Sequence, residues 1–229
     1  MRISVVIPAL NEEELIRRAV TSSWDAGADE VLVVDGNSQD QTAEHASSCG
    51  AQVISGPVGR AVQQNLGAEN SSGDVLLFLH ADNWLDAAVG NQLRECMKER
   101  SVLGGAFRQE IDASGRLYRW LEYGNAARVN WRGLAYGDQA IFMRREVFDQ
   151  LGRFPTVKLM EDLLLMRAFR KLSQPVLLPG PVHVHPRRWQ RRGVVRQTLC
   201  NWALLSARAV GVAPDRLAQF YPLHDPPTA

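Results

Sequence analysis

The sequence predicts an α/β protein whose mostly parallel central sheet is flanked by helices. Its strand-like segments are continuously apolar rather than alternating, which is typical of strands buried on both faces. Strand and helix patterns alternate through the first 82 residues, which favours parallel pairing through right-handed crossovers. With 229 residues and a 45% hydrophobic content, we expect one domain over residues 1–229, with a regular front half (1–100) and an irregular back half (101–229).

In the front half, continuous apolar runs predict the strands Ile3–Ile7, Glu30–Val34, Ala51–Ile54 and Val75–Leu79. Helices are predicted over Asn11–Ala26, Gln39–Cys49, Gly59–Asn70 and Asp86–Arg100. Asn11 is an N-cap candidate for the first helix, because its side chain can accept a hydrogen bond from a free backbone N–H and three glutamates follow it.

The back half is less regular. It predicts the strands Leu103–Ile111, Ala140–Met143, Val176–Leu178 and Val182–His185. It also predicts the helices Arg116–Val129, Arg145–Leu151, Asp162–Leu172 and Gln190–Val210. The last residues, Pro222–Ala229, are expected to form a frayed tail.

Composition excludes several classes of protein. A net charge of +1 argues against nucleic-acid binding. The three cysteines (Cys49, Cys96 and Cys200) lack metal-ligand spacing, which favours reduced thiols in a cytoplasmic protein. No apolar stretch reaches the roughly 18–20 residues of a spanning helix, and the N-terminus does not read as a signal peptide.

Polar residues follow three of the predicted strands. These are Pro8, Asn11 and Glu12 after the first, Asp35, Asn37 and Ser38 after the second, and His80 and Asp82 after the fourth. The carboxyl ends of parallel strands meet at one edge of a sheet, where ligands bind. Each group also has a structural interpretation, as a helix cap or a turn.

The expected ligand is a nucleoside diphosphate bridged by a metal. The chain has neither a G-x-G-x-x-G motif nor a Walker-type lysine loop. Without such a phosphate cradle a pyrophosphate needs a cation, and the carboxylate of Asp82 is a suitable hard oxygen ligand. Acidic groups near Pro8 and at Asp35 would then accept hydrogen bonds from base and ribose.

The segments SVVIPALNEEE, VLVVDGNSQDQT, GRAVQQNLGA and DVLLFLHADN, followed by GGAFR, YGDQAIFMRREVF, LGRFP and MEDLLLMRAFRK, resemble a family 2 glycosyltransferase of the GT-A fold. The closest resemblance is to the small soluble branch called arsenosugar-biosynthesis or selenodomain-associated glycosyltransferases. It implies an inverting, metal-dependent transfer of a sugar from a nucleotide-diphosphate sugar to an acceptor hydroxyl. The acceptor, a small molecule or a lipid-linked one, is left open.

The resemblance also assigns roles to residues. The nucleotide pocket would comprise Pro8, Ala9, Asn11, Glu12, Asp35, Arg60 and Ala81. Asp82 would bind Mn²⁺ or Mg²⁺. His80 stands where the family's D-x-D motif has its first aspartate, so it is either a second ligand or a packed side chain.

The Glu161-Asp162 pair opens a predicted helix, and an N-cap would explain one of the two acids. The resemblance implies that the pair carries the general base, and we favour Asp162 over Glu161. Donor or acceptor contacts are implied for Gly104, Gly105, Asp138 and Gln139, although the last two also suit a turn.

The segment from Arg187 to Arg192 places four arginines around Trp189. Arg187, Arg188 and Trp189 loosely match an R-W motif near the leaving group in some family members. The alternatives are a solvated basic face or, with Trp202, Leu204 and Leu205, contact with an anionic membrane. The following helix is expected to have a core or homodimer role.

Two other functions stay open at this point: a nucleotidyltransferase, and a non-catalytic, membrane-peripheral module that binds a nucleotide sugar. We expect His183 and His185 to face opposite sides of the chain, so that both cannot be ligands from one side.

Overall fold

The structure is a computed structural model that describes residues 1–221, so the predicted tail over 222–229 lies outside the described residues. The strands are β1 (Ile3–Ala9), β2 (Glu30–Asp35), β3 (Gln52–Ser55), β4 (Val75–Phe78), β5 (Asn83–Leu85), β6 (Gly104–Ile111), β7 (Phe142–Arg144) and β8 (Val176–Val184). The helices are α1 (Ile16–Asp25), α2 (Thr42–Ser48), α3 (Arg60–Glu69), α4 (Val89–Cys96), α5 (Arg116–Arg132), α6 (Arg145–Gln150), α7 (Glu161–Phe169), α8 (Arg187–Arg192), α9 (Val194–Ala209) and α10 (Pro214–Leu217). Short 3-10 turns cover Gly137–Gln139 and Ala218–Phe220.

All eight strands join one sheet in the order β3-β2-β1-β4-β7-β6-β8-β5. The first four strands pair in parallel, as do β6 and β8, whereas β7 and β5 run antiparallel to their neighbours. The sheet is therefore mostly parallel and combines strands from both halves of the chain, which confirms the predicted fold class.

Helices cover both faces of the sheet. On one face Ile16 and Val20 of α1 and Leu93 of α4 pack on the sheet, and on the other Ala61 of α3 and Phe148 of α6 do so. A Cβ added at Gly67 of α3 would lie 2.4 Å from Val6 Cγ1. Helix α3 thus lies directly on β1, and this close packing brings the N-terminus of α3 to the carboxyl edge of the sheet.

Helix α1 begins at Ile16 rather than at Asn11, and its N-cap is Leu15. Asn11 has a left-handed backbone with φ of 52°. Its N–H donates to Ser38 Oγ at 2.9 Å, and its Oδ1 accepts from the N–H of Gln39 at 2.8 Å. The predicted cap is wrong because Asn11 instead fastens the β1–α1 loop to the loop after β2.

Two strands differ from the prediction. Strand β5 was not expected, since three residues are too few for a periodic pattern. Strand β8 is continuous over Val176–Val184, with one register irregularity against β6, instead of two separate strands. Within residues 1–221, no helix combines the length and apolarity needed to cross a bilayer.

Candidate active site

A cavity of about 270 Å³ lies at the carboxyl ends of β1 and β4, the edge of the sheet at which the sequence predicts a ligand. The front half contributes Pro8, Ala9, Glu12, Arg60, His80, Ala81 and Asp82 to its wall. The back half contributes Asp138, Asp162, His185, Arg187, Arg188 and Trp189. The structure thus brings together most of the predicted site residues from both halves of the chain.

Arg187 bridges two carboxylates in this cavity. Its guanidinium donates to both oxygens of Glu12, one of them at 2.8 Å, and to Asp82 Oδ2 at 3.1 Å. Burial raises the pKa of Glu12, although Arg187 opposes that shift. Burial alone would lower the pKa of Arg187, but its bonds to Glu12 and the charge of Asp82 raise it. The two carboxylates therefore define a position that holds a positive charge.

Two histidines flank Asp82. Burial and the neighbouring charge of Arg60 lower the pKa of His80 to about 4, so its imidazole is neutral at physiological pH. The backbone N–H of His185 donates to Asp82 O at 3.2 Å, and burial also lowers the pKa of the His185 side chain. His183 instead stacks on Trp84 with 5.3 Å between ring centroids.

His185 is therefore a candidate ligand that the sequence reasoning missed. Residues two apart share a face of a regular strand, so the spacing of His183 and His185 did not predict their different environments. The two side chains differ because β8 ends at Val184, so His185 lies beyond the strand, where it lines the cavity.

The adjacent acids Glu161 and Asp162 have different environments. Glu161 is only 2% exposed and forms an ion pair with Arg60, with 2.8 Å between Oε1 and Nε. Asp162 lines the cavity, and its Oδ2 accepts a 2.7 Å hydrogen bond from the N–H of Gly137. The residue before the pair, Met160, has φ of 66°, an uncommon conformation for a side chain of this size. Only Asp162 of this pair therefore faces the cavity.

Asp138 and Gln139, both predicted to contact a ligand, have different environments in the turn Gly137–Gln139. Asp138 lines the cavity, and its Oδ1 is buried without a hydrogen-bond partner among the described residues. Burial raises the pKa of Asp138 to about 6, against the lowering effect of Arg128. Gln139 points away from the cavity, because its Oε1 accepts from Arg128 at 2.8 Å and from the N–H of Tyr136 at 3.3 Å. The predicted ligand contact of Gln139 is replaced by a role in the turn.

Gly104 and Gly105 also lie outside the cavity wall. A Cβ at Gly104 would lie 2.6 Å from Phe142 O, and one at Gly105 would lie 2.0 Å from Val176 O. Both glycines are required by the close approach of the strands on either side of β6. The prediction that they make room for a ligand is therefore corrected.

Asp35 and Asn11 lie beside the cavity rather than in its wall. Asp35 pairs with the wall residue Ala9 across β1 and β2, and its carboxylate accepts a 3.1 Å bond from the N–H of Ser38. Gln63, which sequence reasoning did not single out, donates to both Ala9 O and Val34 O at 2.8 Å. This glutamine holds the ends of the two strands at a fixed spacing.

The C-terminal helices close one side of the cavity. Arg188 lies against Tyr221, donating to its hydroxyl and stacking on its ring. Gln197, Asn201, Leu204 and Leu205 of α9 line the wall beside them. Leu204 and Leu205 therefore line the cavity, whereas Trp202 is exposed.

Comparison with known proteins identifies relatives of this chain. The family model "Glycosyl transferase family 2" matches residues 4–152. Glucosyl-3-phosphoglycerate synthase of Mycobacterium tuberculosis is 38% identical over 94 residues. A 4,4'-diaponeurosporenoate glycosyltransferase of Staphylococcus haemolyticus is 36% identical over 89 residues. Each alignment covers 35% of this chain, but it spans only 28% of the synthase and 24% of the second enzyme.

Solved structures share the fold. The M. tuberculosis synthase, crystallised with Mg²⁺ and uridine diphosphate (UDP), aligns with a TM-score of 0.58 and 24% identity over 80% of this chain and 69% of that one. S. aureus TarS with UDP-GlcNAc aligns with a TM-score of 0.65 and 16% identity over 81% of this chain and 58% of that one. Both neighbours are GT-A glycosyltransferases, in agreement with the predicted fold.

Proposed function

The chain belongs to glycosyl transferase family 2 and is a glycosyltransferase, and from this premise we propose that it moves a sugar from a UDP-sugar to an acceptor hydroxyl with inversion at the anomeric carbon. The observation that carries the proposal is that one cavity brings Asp82, Asp162 and Arg187 together from three separate segments of the chain. The family assignment replaces the nucleotidyltransferase alternative.

UDP is our choice of nucleotide because both solved relatives were crystallised with UDP or a UDP-sugar. Pro8 and Ala9 would border the nucleotide, with Asp35 and Asn11 beside them. We infer that residues 1–100 hold the donor and that residues 101–229 supply the base and the acceptor side. The arsenosugar or selenodomain-associated branch and the choice between a small and a lipid-linked acceptor stay predictions.

The chemistry of the donor set fits a divalent cation at Asp82. Carboxylates suit Mn²⁺ or Mg²⁺, and Mn²⁺ also accepts a neutral imidazole, although less readily than a carboxylate. The position of Arg187 between Glu12 and Asp82 marks a place that favours positive charge. Within residues 1–221 no three His, Cys, Asp or Glu side chains are grouped as metal ligands. Because no such group of three is present there, we propose only two protein ligands, Asp82 with His80 or His185. Oxygens of the donor diphosphate would complete the ligand set. A cation there would neutralise the charge that develops on the departing diphosphate.

Asp162 is the proposed general base. It would accept the proton of the acceptor hydroxyl as that oxygen bonds to the anomeric carbon and the bond from carbon to UDP breaks. The N–H of Gly137 holds one carboxylate oxygen at 2.7 Å and so fixes its direction. Glu161 is the weaker candidate, because its carboxylate is buried against Arg60.

Arg188 and Trp189 are proposed to contact the leaving diphosphate and the donor sugar, together with Asp138. Arginine suits a diphosphate because its planar guanidinium donates two parallel hydrogen bonds. Arg187 would exchange its carboxylate partners for phosphate oxygens when donor and cation bind.

A thermal-shift panel of nucleotide-diphosphate sugars, with and without Mn²⁺, tests the proposal, because a ligand of the folded state raises the melting temperature. We expect UDP-sugars to raise it more in the presence of Mn²⁺. Asp82→Ala should abolish that increment, whereas Asp25→Ala, at the exposed end of α1, should keep it. An unchanged increment in Asp82→Ala would remove the metal assignment, and donor binding without transfer to any acceptor would favour a non-catalytic binding module.

A further inference from the structure

Helix α5 turns an apolar face to the solvent. Trp120 is 75% exposed and Trp131 is 84% exposed, and Leu117 and Tyr123 are also exposed. Leu117, Trp120 and Trp131 are spaced by three and eleven residues, close to one and three helical turns, so they share a face. A surface helix normally presents charged and polar side chains outwards. The outer face of α5 therefore departs from the usual pattern.

Helix α9 repeats this arrangement on the wall of the cavity. Its exposed residues include Val195, Leu199 and Trp202, spaced by four and three residues on one face. Gln197 and Leu204 are buried and line the cavity. Only one helix, about 10 Å across, therefore separates the exposed face from the active site.

The same helices concentrate positive charge. Helices α5, α8 and α9 contain ten arginines and a single acidic residue, Glu122, which gives them a net charge of +9 in a chain of net charge +1. The remainder of the chain therefore carries −8. The four exposed arginines are Arg116, Arg132, Arg191 and Arg196. Tyr118 of α5 contacts Trp189 of α8, with 6.4 Å between ring centroids, so α5 adjoins the C-terminal helices.

We propose that this arginine–aromatic surface docks the enzyme on an anionic lipid bilayer. It comprises the exposed apolar residues Leu117, Trp120, Tyr123, Trp131, Val195, Leu199 and Trp202 and the exposed arginines Arg116, Arg132, Arg191 and Arg196. Tryptophan and tyrosine rings favour the head-group level of a bilayer, and arginine binds the phosphates of acidic lipids. The aliphatic members gain free energy in hydrocarbon.

Charge complementarity favours a bilayer over a second copy of the chain. A two-fold dimer through this surface would set one positively charged surface against an identical one, and the repulsion between like charges is costly. A nucleic acid would pair with the arginines but would leave Leu117, Val195 and Leu199 without apolar partners. An acidic lipid surface satisfies both kinds of side chain.

Docking through α9 would bring the active-site cavity to within one helix of the bilayer. This last consequence rests on the proposed function, because it makes a lipid-anchored acceptor the class of acceptor within reach. The docking itself requires no transfer activity, so it can be measured on the enzyme without donor.

The test is sedimentation of the full chain with vesicles of phosphatidylcholine alone or of phosphatidylcholine mixed with phosphatidylglycerol. We expect binding to the mixed vesicles only, and weaker binding at high salt. The double variant Trp120→Ser/Trp202→Ser should lower the partition coefficient by about ten-fold or more. Arg196→Glu should lower it by at least about five-fold.

Leu172→Ser and Arg100→Glu are matched controls, since both residues are exposed and lie outside the arginine–aromatic surface. Both should bind vesicles as the unmodified chain does. Circular dichroism and thermal melting establish that each variant is folded.

Three results would overturn the proposal. The first is no binding to mixed vesicles, and the second is equal binding by the double tryptophan variant and the unmodified chain. The third is a dimer in sedimentation velocity that the same substitutions dissociate, without vesicle binding, which would assign the surface to a second copy.

Discussion

Gly137 packs so closely on His80 that an added methyl group has no room. A Cβ at Gly137 would lie 2.4 Å from His80 Nε2, whereas real Cβ contacts stay beyond 3.0 Å. Gly137→Ala therefore forces residue 137 and the His80 ring apart by at least 0.6 Å, the difference between these two distances. Because the N–H of Gly137 also holds Asp162 Oδ2 at 2.7 Å, the displacement reaches the proposed base.

Two effects of Gly137→Ala follow from this geometry. Overpacking a buried site should lower the free energy of unfolding by about 1–3 kcal/mol. A misplacement of about 1 Å at a reacting group costs roughly 100-fold in rate, so a shift of more than half that size should lower kcat by about ten-fold or more. Urea denaturation and a UDP-release assay measure the two effects.

Gly124→Ala is the matched control, because Gly124 lies in α5 with no atom within 4 Å of an added Cβ. Alanine there should raise the free energy of unfolding by about 0.5–1 kcal/mol and leave kcat unchanged. His80→Ala removes the obstacle, so Gly137→Ala should cost far less stability in that background. An equal cost in both backgrounds, or a Gly137→Ala variant that behaves like Gly124→Ala, would refute the steric argument.

Two further predictions concern charge in the cavity. Arg187→Met leaves the carboxylates of Glu12 and Asp82 without their shared cation, so it should lower the free energy of unfolding by about 1–3 kcal/mol. Mn²⁺ should recover part of the loss in thermal melts, and the same loss at every Mn²⁺ concentration would contradict this. Asp138 has a folded pKa of about 6, above its usual 3.8, so the native state binds the extra proton and stability falls as pH rises from about 4 through 6. Asp138→Asn should therefore stabilise the protein by about 1–2 kcal/mol more at about pH 7.5 than at about pH 4.5, and equal gains at both pH values in urea titrations would rule out this pKa.

The front half of the fold was predictable because its strands β1, β2 and β4 are buried on both faces. Continuous apolar runs locate β1 and β4, and polar residues end the runs where the cavity opens. Strand β5 was missed because three residues carry no period. The single helix predicted over Gln190–Val210 is divided in the structure, because the left-handed backbone of Gly193, with φ of 78°, separates α8 from α9.

Most of the candidate site was also predictable, from polar residues that follow strands, such as Asp82, and, through the family resemblance, from the acidic pair that opens α7. Asp82 and Asp162 do line one cavity. The sequence did not predict the direction in which individual side chains point. Glu161 and Asp162 are equivalent in sequence, and only the ion pair with Arg60 turns one of them away from the cavity.

The remaining differences arise from contacts between residues far apart in the chain. Asn11 looks like a helix cap until Ser38 and Gln39 are seen to bind it. Gly104 and Gly105 accommodate neighbouring strands instead of a ligand. In each case the residue type correctly indicated a close contact. The contact is made with a segment far away along the chain, which the local sequence does not identify.

Asp162→Asn and Glu161→Gln, compared side by side, decide whether Asp162 is the general base. Both substitutions replace a carboxylate by an amide of the same shape. In single-turnover transfer with donor binding measured in parallel, Asp162→Asn should bind donor normally and lower the rate by about 100-fold or more. Glu161→Gln should retain most of the rate. Full transfer by Asp162→Asn, or a larger loss in Glu161→Gln, would show that Asp162 is not the base.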